Sequence, residues 1–331
     1  MLKATDRALC ELYDLAMLDL DGVVYIGGHA VPGAADAIAS ARRRGMKVAF
    51  VTNNAARPPA TVAEHLRELS IDAASEDVVN SAQAAAGVLR GRFGAGARIA
   101  YLGAAGLDEA LREAELVPVG VDDDADAAAT GYGPDVPWRD IMRLTTRIRD
   151  GLPWVASNTD GSLPTPYGTA PGHGVMVDMI SRFAEVRPEV AGKPSPPLLQ
   201  ETIRRVGGER PLMVGDRLDT DIAGGAAVEV DTLLVMTGIT GLTELIEATA
   251  ELRPTYISAD LGGLVAPQPQ VTVEEDRCAL SGWTASVTDG TLEVSGEGDP
   301  GDWWRVVAAV AWSWSDAHGS APDTGRLTPP R

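Results

Sequence analysis

Asp19 and Asp21 lie two residues apart in Leu18-Asp19-Leu20-Asp21-Gly22-Val23, directly after the apolar run 15–18. Carboxylates at the carboxyl edge of a parallel sheet face the place where open α/β sheets bind ligands. One can attack an electrophile while the other gives and takes a proton. A second acid pair, Asp216 and Asp221, lies in Met213-Val214-Gly215-Asp216-Arg217-Leu218-Asp219-Thr220-Asp221. Acids so placed suit Mg2+, a hard cation that prefers oxygen ligands. Val51-Thr52-Asn53-Asn54 offers a hydroxyl, two amides and backbone N–H groups, which can hold phosphate oxygens. Lys193, within Gly192-Lys193-Pro194-Ser195-Pro196, is a cation fixed on a turn. Singly, each motif also has a plain structural reading. These are a strand-to-loop turn, a helix N-cap at 52–54, an exposed lysine, and N-capping by Asp219 or Asp221.

The elements that must carry these residues alternate. The pattern predicts strands at 15–20 and 46–51 and helices at 34–44 and 58–69. After residue 188 it resumes, with helices at 197–206 and 219–228 and strands at 211–214 and 232–236. Short, almost wholly apolar strands between helices imply an α/β, doubly wound, Rossmann-like parallel sheet covered on both faces. The middle of the chain repeats the alternation with its own elements and a long Gly/Pro-rich loop at 158–174. Residues 1–79 and 187–266 are therefore expected to form one core, with an inserted α/β domain at 80–186. Pro267-Gln268-Pro269 reads as a linker. Beyond it lie Trp283, Trp303, Trp304, Trp312 and Trp314, most of the chain's 7 tryptophans. A hairpin signal at Asp289-Gly290 and helical spacing over 302–316 predict a small β-β-α module at 270–318. Residues 319–331 read as a disordered tail.

The chain has 331 residues, with 47 acidic and 28 basic side chains and a net charge of −19. Such a field argues against non-specific binding to nucleic acid or anionic membrane. It also requires any anionic substrate to meet a locally positive pocket. No apolar window is long enough for a transmembrane helix. The first twenty residues lack the basic start of a secretory signal. Cys10 and Cys278 have no metal-type spacing and fit a reducing compartment, so a cytoplasmic protein is expected.

In this order, Asp-x-Asp-Gly-Val, Val-Thr-Asn-Asn, Gly-Lys-Pro-Ser-Pro and Gly-Asp-x-x-x-x-Asp resemble the haloacid dehalogenase-like superfamily. The finer spelling, with Asp21-Gly22-Val23-Val24-Tyr25 and Asn158-Thr159-Asp160, resembles its NagD-like branch. That branch includes nitrophenyl phosphatases, nucleotide monophosphatases, phosphoglycolate phosphatases and glycerol-phosphate phosphatases. The resemblance spans about residues 14–265 and leaves out the tryptophan-rich module. It implies that Asp19 is the nucleophile and forms an aspartyl-phosphate. Asp21 would be the general acid, then the base. Mg2+ would be held by Asp19, Asp216, the main-chain carbonyl of Asp21, and Asp221 directly or through water. Thr52, Asn53 and Asn54 would hold phosphoryl oxygens, and Lys193 would balance their charge. The insertion between Thr52 and Lys193 would be a class II α/β cap, with Asn158, Asp160 and His173 as candidates to face substrate. The expected activity is Mg2+-dependent hydrolysis of a small phosphomonoester, glycerol 3-phosphate first. A nucleotide monophosphatase and a phosphoglycolate or nitrophenyl phosphatase are the alternatives. A non-enzyme alternative is a regulatory protein sensing a ligand through the C-terminal module, itself read as packing or as a remnant acyltransferase-like fold. The expected partner is a small phosphorylated substrate, with a homodimer left open. The acidic run at Asp122, Asp123, Asp124 and Asp126 reads as a solvated loop.

Overall fold

A computed structural model describes residues 2–165, 167–274, 277–325 and 327–330. The chain divides into two compact units, Met1–Val48 with Gly208–Arg331, and Ala49–Gly207.

The first unit opens with α1 (Leu9–Leu12), β1 (Leu15–Asp19), the short pair β2 (Tyr25–Ile26) and β3 (His29–Ala30), and α2 (Ala34–Arg43). Strand β4 (Lys47–Thr52) begins here and ends in the second unit. The second unit continues with α3 (Pro59–Glu68), β5 (Val78–Asn80), α4 (Ser81–Phe93), β6 (Arg98–Leu102), α5 (Ala105–Glu113), β7 (Val117–Val119) and β8 (Ala127–Thr130). Then come α6 (Trp138–Arg149), β9 (Trp154–Ala156), β10 (Ser162–Thr165), β11 (Gly168–Pro171), α7 (His173–Ala184), β12 (Glu189–Val190) and α8 (Pro197–Val206). The chain returns to the first unit with β13 (Pro211–Gly215), α9 (Ala223–Ala227), β14 (Asp231–Val235), α10 (Leu242–Ile246) and β15 (Tyr256–Ser258). It finishes with β16 (Thr272–Glu274), β17 (Arg277–Leu280), β18 (Trp283–Thr288), β19 (Thr291–Gly296) and α11 (Pro300–His318).

In the first unit the parallel order is β15-β14-β13-β1. Leu15, Ala16, Met17 and Leu18 are all fully buried, as strands covered on both faces must be. Leu18 pairs with Val214, so β1 and β13 end side by side and deliver Asp19 and Asp216 to one edge. In the second unit β4 pairs in parallel with β5, and five parallel strands follow the order β12-β9-β8-β6-β7. Helix α4 packs on α5, β9 and α8, which gathers more chain into this unit than the 80–186 insertion expected from sequence. The stretch read as a long loop at 158–174 holds the antiparallel hairpin β10–β11. Its Gly/Pro content masks the pairing, because the two strands lack alternating apolar residues. No helix among the described residues is long and apolar enough to cross a membrane.

The C-terminal part departs most from expectation. Four antiparallel strands, β16-β17-β18-β19, replace the expected two, and α11 packs on β17 and β18. Trp303, Trp312, Val306, Val307 and Val310 share one buried cluster with Leu234, Leu245 and Ile257 of the first unit. Trp312 Nε1 donates to the Leu245 carbonyl at 2.8 Å. Arg253 grips Asp316 with two bonds, at 2.7 and 2.8 Å. The expected linker is clamped: Gln268 is buried and exchanges main-chain bonds with Thr5. The expected disordered tail is also held as far as it is described. Asp323 accepts from Leu292 N and donates to the Gly290 carbonyl, extending the β18–β19 edge, and Pro322 is buried. Arg326 and Arg331 of that tail lie outside the described residues.

Candidate active site

Among the described residues, Asp19, Asp216 and Asp221 each offer a carboxylate oxygen within 4.8 Å of the others. Asp216 and Asp221 are fully buried, while Asp19 is half-buried. Asp216 is fixed by the turn after β14: its Oδ2 accepts from Ile239 N at 2.6 Å, and its main-chain oxygen accepts from Thr240 N. Asp221 Oδ2 accepts from Arg217 N at 3.1 Å. It sits in a single π-turn, Leu218–Ile222, ahead of α9, where sequence reasoning predicts one continuous helix. Such π-turns accompany functional sites because they re-aim a side chain. Here the turn sends Asp221 inward. Asp219 instead pairs with Arg217, which holds its carboxyl below the usual range.

Three carboxylates this close repel one another unless a cation lies among them or some are protonated. An all-oxygen donor set fits a hard divalent ion. The backbone is pared away around it. A Cβ at Gly238 would overlap the Asp216 carboxylate, and one at Gly215 would overlap Asp221. Sequence reasoning missed Gly238 and Thr237; their signal was a Thr-Gly pair just beyond an apolar strand. Thr237 Oγ1 donates to the Gly22 carbonyl at 2.5 Å and fixes the turn that follows Asp21. Asp21 is exposed at that turn, and its carboxylate is not a member of the three-acid cluster.

Gly22 has φ +84, and a Cβ there would stand 2.5 Å from Asp216 Oδ2. Gly22→Ala is therefore expected to weaken Mg2+ binding by roughly 10–100-fold, the usual scale for disturbing a ligand's support. Calorimetric titration with Mg2+ reads this directly, and wild-type affinity in the variant would contradict it.

The remaining predicted residues belong to the second unit. Asn53 ties three of them together. Its Oδ1 accepts from Lys193 N at 2.8 Å, and its Nδ2 donates to the Lys193 carbonyl and to Asp160 Oδ1, both at 3.0 Å. Gly192 allows this approach, since a Cβ there would meet Asn53 Oδ1 at 2.6 Å. Lys193 is buried, not the exposed loop lysine of the structural reading. A buried ammonium is tolerated only where anionic or polar groups meet it. Thr52 is buried, and its Oγ1 accepts from Asn54 N. The Asn54 side chain closes a local turn onto Ala56 N at 2.9 Å.

Two candidates point inward. Asn158 is buried, with Nδ2 on the Asn53 carbonyl and Oδ1 accepting from Asp160 N. His173 opens α7 and is buried. Burial pushes its pKa down to about 4, against a smaller opposing pull from the Thr130 backbone. The acidic run contains loop fasteners: Asp123 accepts from Gly120 N, Asp126 from Arg98 N, and Asp122 pairs with Arg143.

Burial of neutral His173 makes the protein's stability depend on pH. Below its ordinary pKa of 6.5 the unfolded chain takes up a proton that the folded chain refuses. The stabilisation from neutral burial is thus complete above that value and declines as pH falls toward about 4. At about 1.4 kcal/mol per pH unit, it amounts to about 2 kcal/mol between neutral pH and about pH 5. His173→Gln should lose that part of the pH dependence. Urea unfolding of both proteins at the two pH values checks it; equal slopes would contradict the assignment.

A haloacid dehalogenase-like hydrolase model matches residues 16–117, and a HAD-hydrolase-like model matches 190–264. The chain is 38% identical over 324 residues to the D-glycerol 3-phosphate phosphatase of Mycobacterium tuberculosis, covering 92% of this chain and 88% of the relative. The chain belongs to the haloacid dehalogenase-like hydrolases. This hydrolase is also 34% identical to the acid sugar phosphatase of Staphylococcus aureus, over 77% of its own length and 97% of the relative's. Among solved structures, the glycerol phosphate phosphatase of M. tuberculosis in complex with magnesium superimposes with a TM-score of 0.84 at 36% identity, covering 93% of the hydrolase and 92% of that chain.

Proposed function

We propose that this hydrolase is a Mg2+-dependent phosphatase of small phosphomonoesters, with glycerol 3-phosphate as its first substrate. The observation that carries the reading is the cluster of Asp19 and Asp216, at adjoining strand ends, with Asp221 of the π-turn. It occurs in a chain related along 92% of its length to an enzyme named for that substrate. Asp19, Asp216 and Asp221, with the Asp21 main-chain carbonyl, would hold Mg2+. When bound, the cation supplies positive charge against the nucleophile and the phosphoryl oxygens.

Asp19 attacks phosphorus, the ester P–O bond breaks, and Asp21 gives its proton to the leaving alkoxide. Asp21, now a carboxylate, takes a proton from the water that attacks the aspartyl-phosphate. The P–O bond to Asp19 breaks and inorganic phosphate leaves. The exposure of Asp21 supports this role, because its carboxyl must meet both alkoxide and water. Thr52, Asn53, Asn54 and Lys193 are assigned to the phosphoryl oxygens and their charge. Phosphoryl transfer asks mostly for such positioning and neutralisation.

Residues 80–186 are assigned to the cap. Asp160 is its best candidate for accepting from substrate hydroxyls, since an acid suits a polyol better than a phosphate. The acid sugar phosphatase relative makes sugar phosphates the second substrate class. The buried free thiols of Cys10 and Cys278 support a cytoplasmic setting.

The test is phosphate release from glycerol 3-phosphate, sugar phosphates, phosphoglycolate, nucleoside monophosphates and nitrophenyl phosphate, with Mg2+ and with chelator. Metal-dependent release led by glycerol 3-phosphate is expected. Release that survives chelation, or none from any ester by folded protein, would overturn the reading.

A further inference from the structure

The peptide joining Asn53 to Asn54 is held at both ends. Its oxygen accepts from Ser81 Oγ at 2.5 Å and from Asn158 Nδ2 at 2.7 Å. Its N–H donates to Thr52 Oγ1 at 3.1 Å. Ser81 is 0% exposed and Asn158 is 3% exposed. Ser81 is the first residue of α4, directly after the Asn80 N-cap, which is locked by a reciprocal pair of bonds with Gln83. Its hydroxyl is therefore presented from a rigid helix end. Asn158, by contrast, comes from the segment that follows β9.

We propose that Ser81 is a positioning residue for phosphate binding: through the Asn53–Asn54 peptide it fixes the direction of the Thr52 hydroxyl. The inference rests on the phosphatase reading above. A threonine hydroxyl has one proton and two lone pairs. With the Asn54 N–H occupying one lone pair, the Thr52 proton is turned away from that peptide and toward whatever lies beyond the strand end. The peptide cannot rotate without taking the acceptor from two donors, and because both side chains are buried, losing it is costly. Removing Ser81 Oγ leaves Asn158 alone to hold the carbonyl, so the peptide and the Thr52 hydroxyl gain freedom. The hydroxyl is then less often aimed at a phosphoryl oxygen. The effect belongs to phosphate binding and not to the cation, whose three proposed carboxylate ligands lie on other strands and turns.

The experiment uses the full chain with Mg2+ and two variants, Ser81→Ala and Ser81→Cys. The second nearly keeps the volume and loses the strong donor, so it carries the test where the first fails to fold. Binding of inorganic phosphate is measured by calorimetry, and kcat and KM are measured with glycerol 3-phosphate. Phosphate affinity and kcat/KM should both fall by roughly threefold to tenfold, the scale of one buried hydrogen bond. The Mg2+ concentration for half-activation should not change. A lowered thermal midpoint with phosphate affinity unchanged would mark Ser81 as merely structural and overturn the proposal. Wild-type protein that binds no phosphate and releases none would overturn the functional reading, and the Ser81 proposal with it. Wild-type activity beside an equally competent Ser81→Cys would overturn the Ser81 proposal alone.

Discussion

Asn in place of Asp19 should remove turnover by about 10^4-fold or more while leaving the protein folded. A carboxamide has nearly the carboxylate's shape, so the end of β1 keeps its packing. It lacks the anionic oxygen proposed to attack phosphorus, so it could not form the proposed aspartyl-phosphate. Stability should move the other way from activity. Asp19 sits within 4.8 Å of the Asp216 and Asp221 carboxylate oxygens, so losing its charge relieves repulsion when the cation is absent. In chelator, Asp19→Asn should melt no lower than wild type; in Mg2+, wild type should gain more than the variant. Rates from the two proteins, with melting curves in both conditions, check this. A variant with near-normal turnover would remove Asp19 as the nucleophile.

The second large effect concerns the C-terminal module. Removing residues 271–331 strips Trp303, Val306, Val307 and Trp312 from Leu234, Leu245 and Ile257, and it leaves the Leu245 carbonyl without its Trp312 donor. Burying an aromatic side chain of this size is worth about 3–5 kcal/mol by truncation to alanine. That is a large share of a stability of about 5–15 kcal/mol. The truncated chain should therefore be insoluble or unfolded despite retaining every proposed catalytic residue. Trp312→Ala is the graded version, expected to cost about 3–5 kcal/mol in urea unfolding. A soluble, active truncation would show that the module is dispensable for folding and restore the sensor reading. Its structural role does not make it general to the family, for the acid sugar phosphatase match takes only 77% of this chain.

The catalytic half of the molecule is legible because its chemistry is local. Asp19 and Asp216 each follow an apolar run that can only be a buried strand, and parallel strands share one carboxyl edge. Side-chain direction is less legible. Nothing in Asn158-Thr159-Asp160 says that Asn158 turns inward to the Asn53 carbonyl, because both ends of that bond are set by tertiary packing. The same holds for His173, whose flanking glycines suggest a close approach to a ligand, whereas the structure buries it at the start of α7. The π-turn that aims Asp221 inward also escapes helical periodicity, since a single inserted residue leaves no compositional mark. In the C-terminal module, β16 has all three residues exposed and β17 is only four residues long. Neither is long enough to betray a strand by its own pattern; β16 is held by pairing with β17, and β17 by β18 and α11.

The central claim is that the phosphoryl group passes through Asp19. The most direct measurement is an acid quench of the enzyme during turnover of glycerol 3-phosphate labelled with radioactive phosphorus. Label should remain on the protein, be released by hydroxylamine as an acyl phosphate is, and be absent from Asp19→Asn. Turnover with no label on wild-type protein, or equal label on Asp19→Asn, would contradict the account.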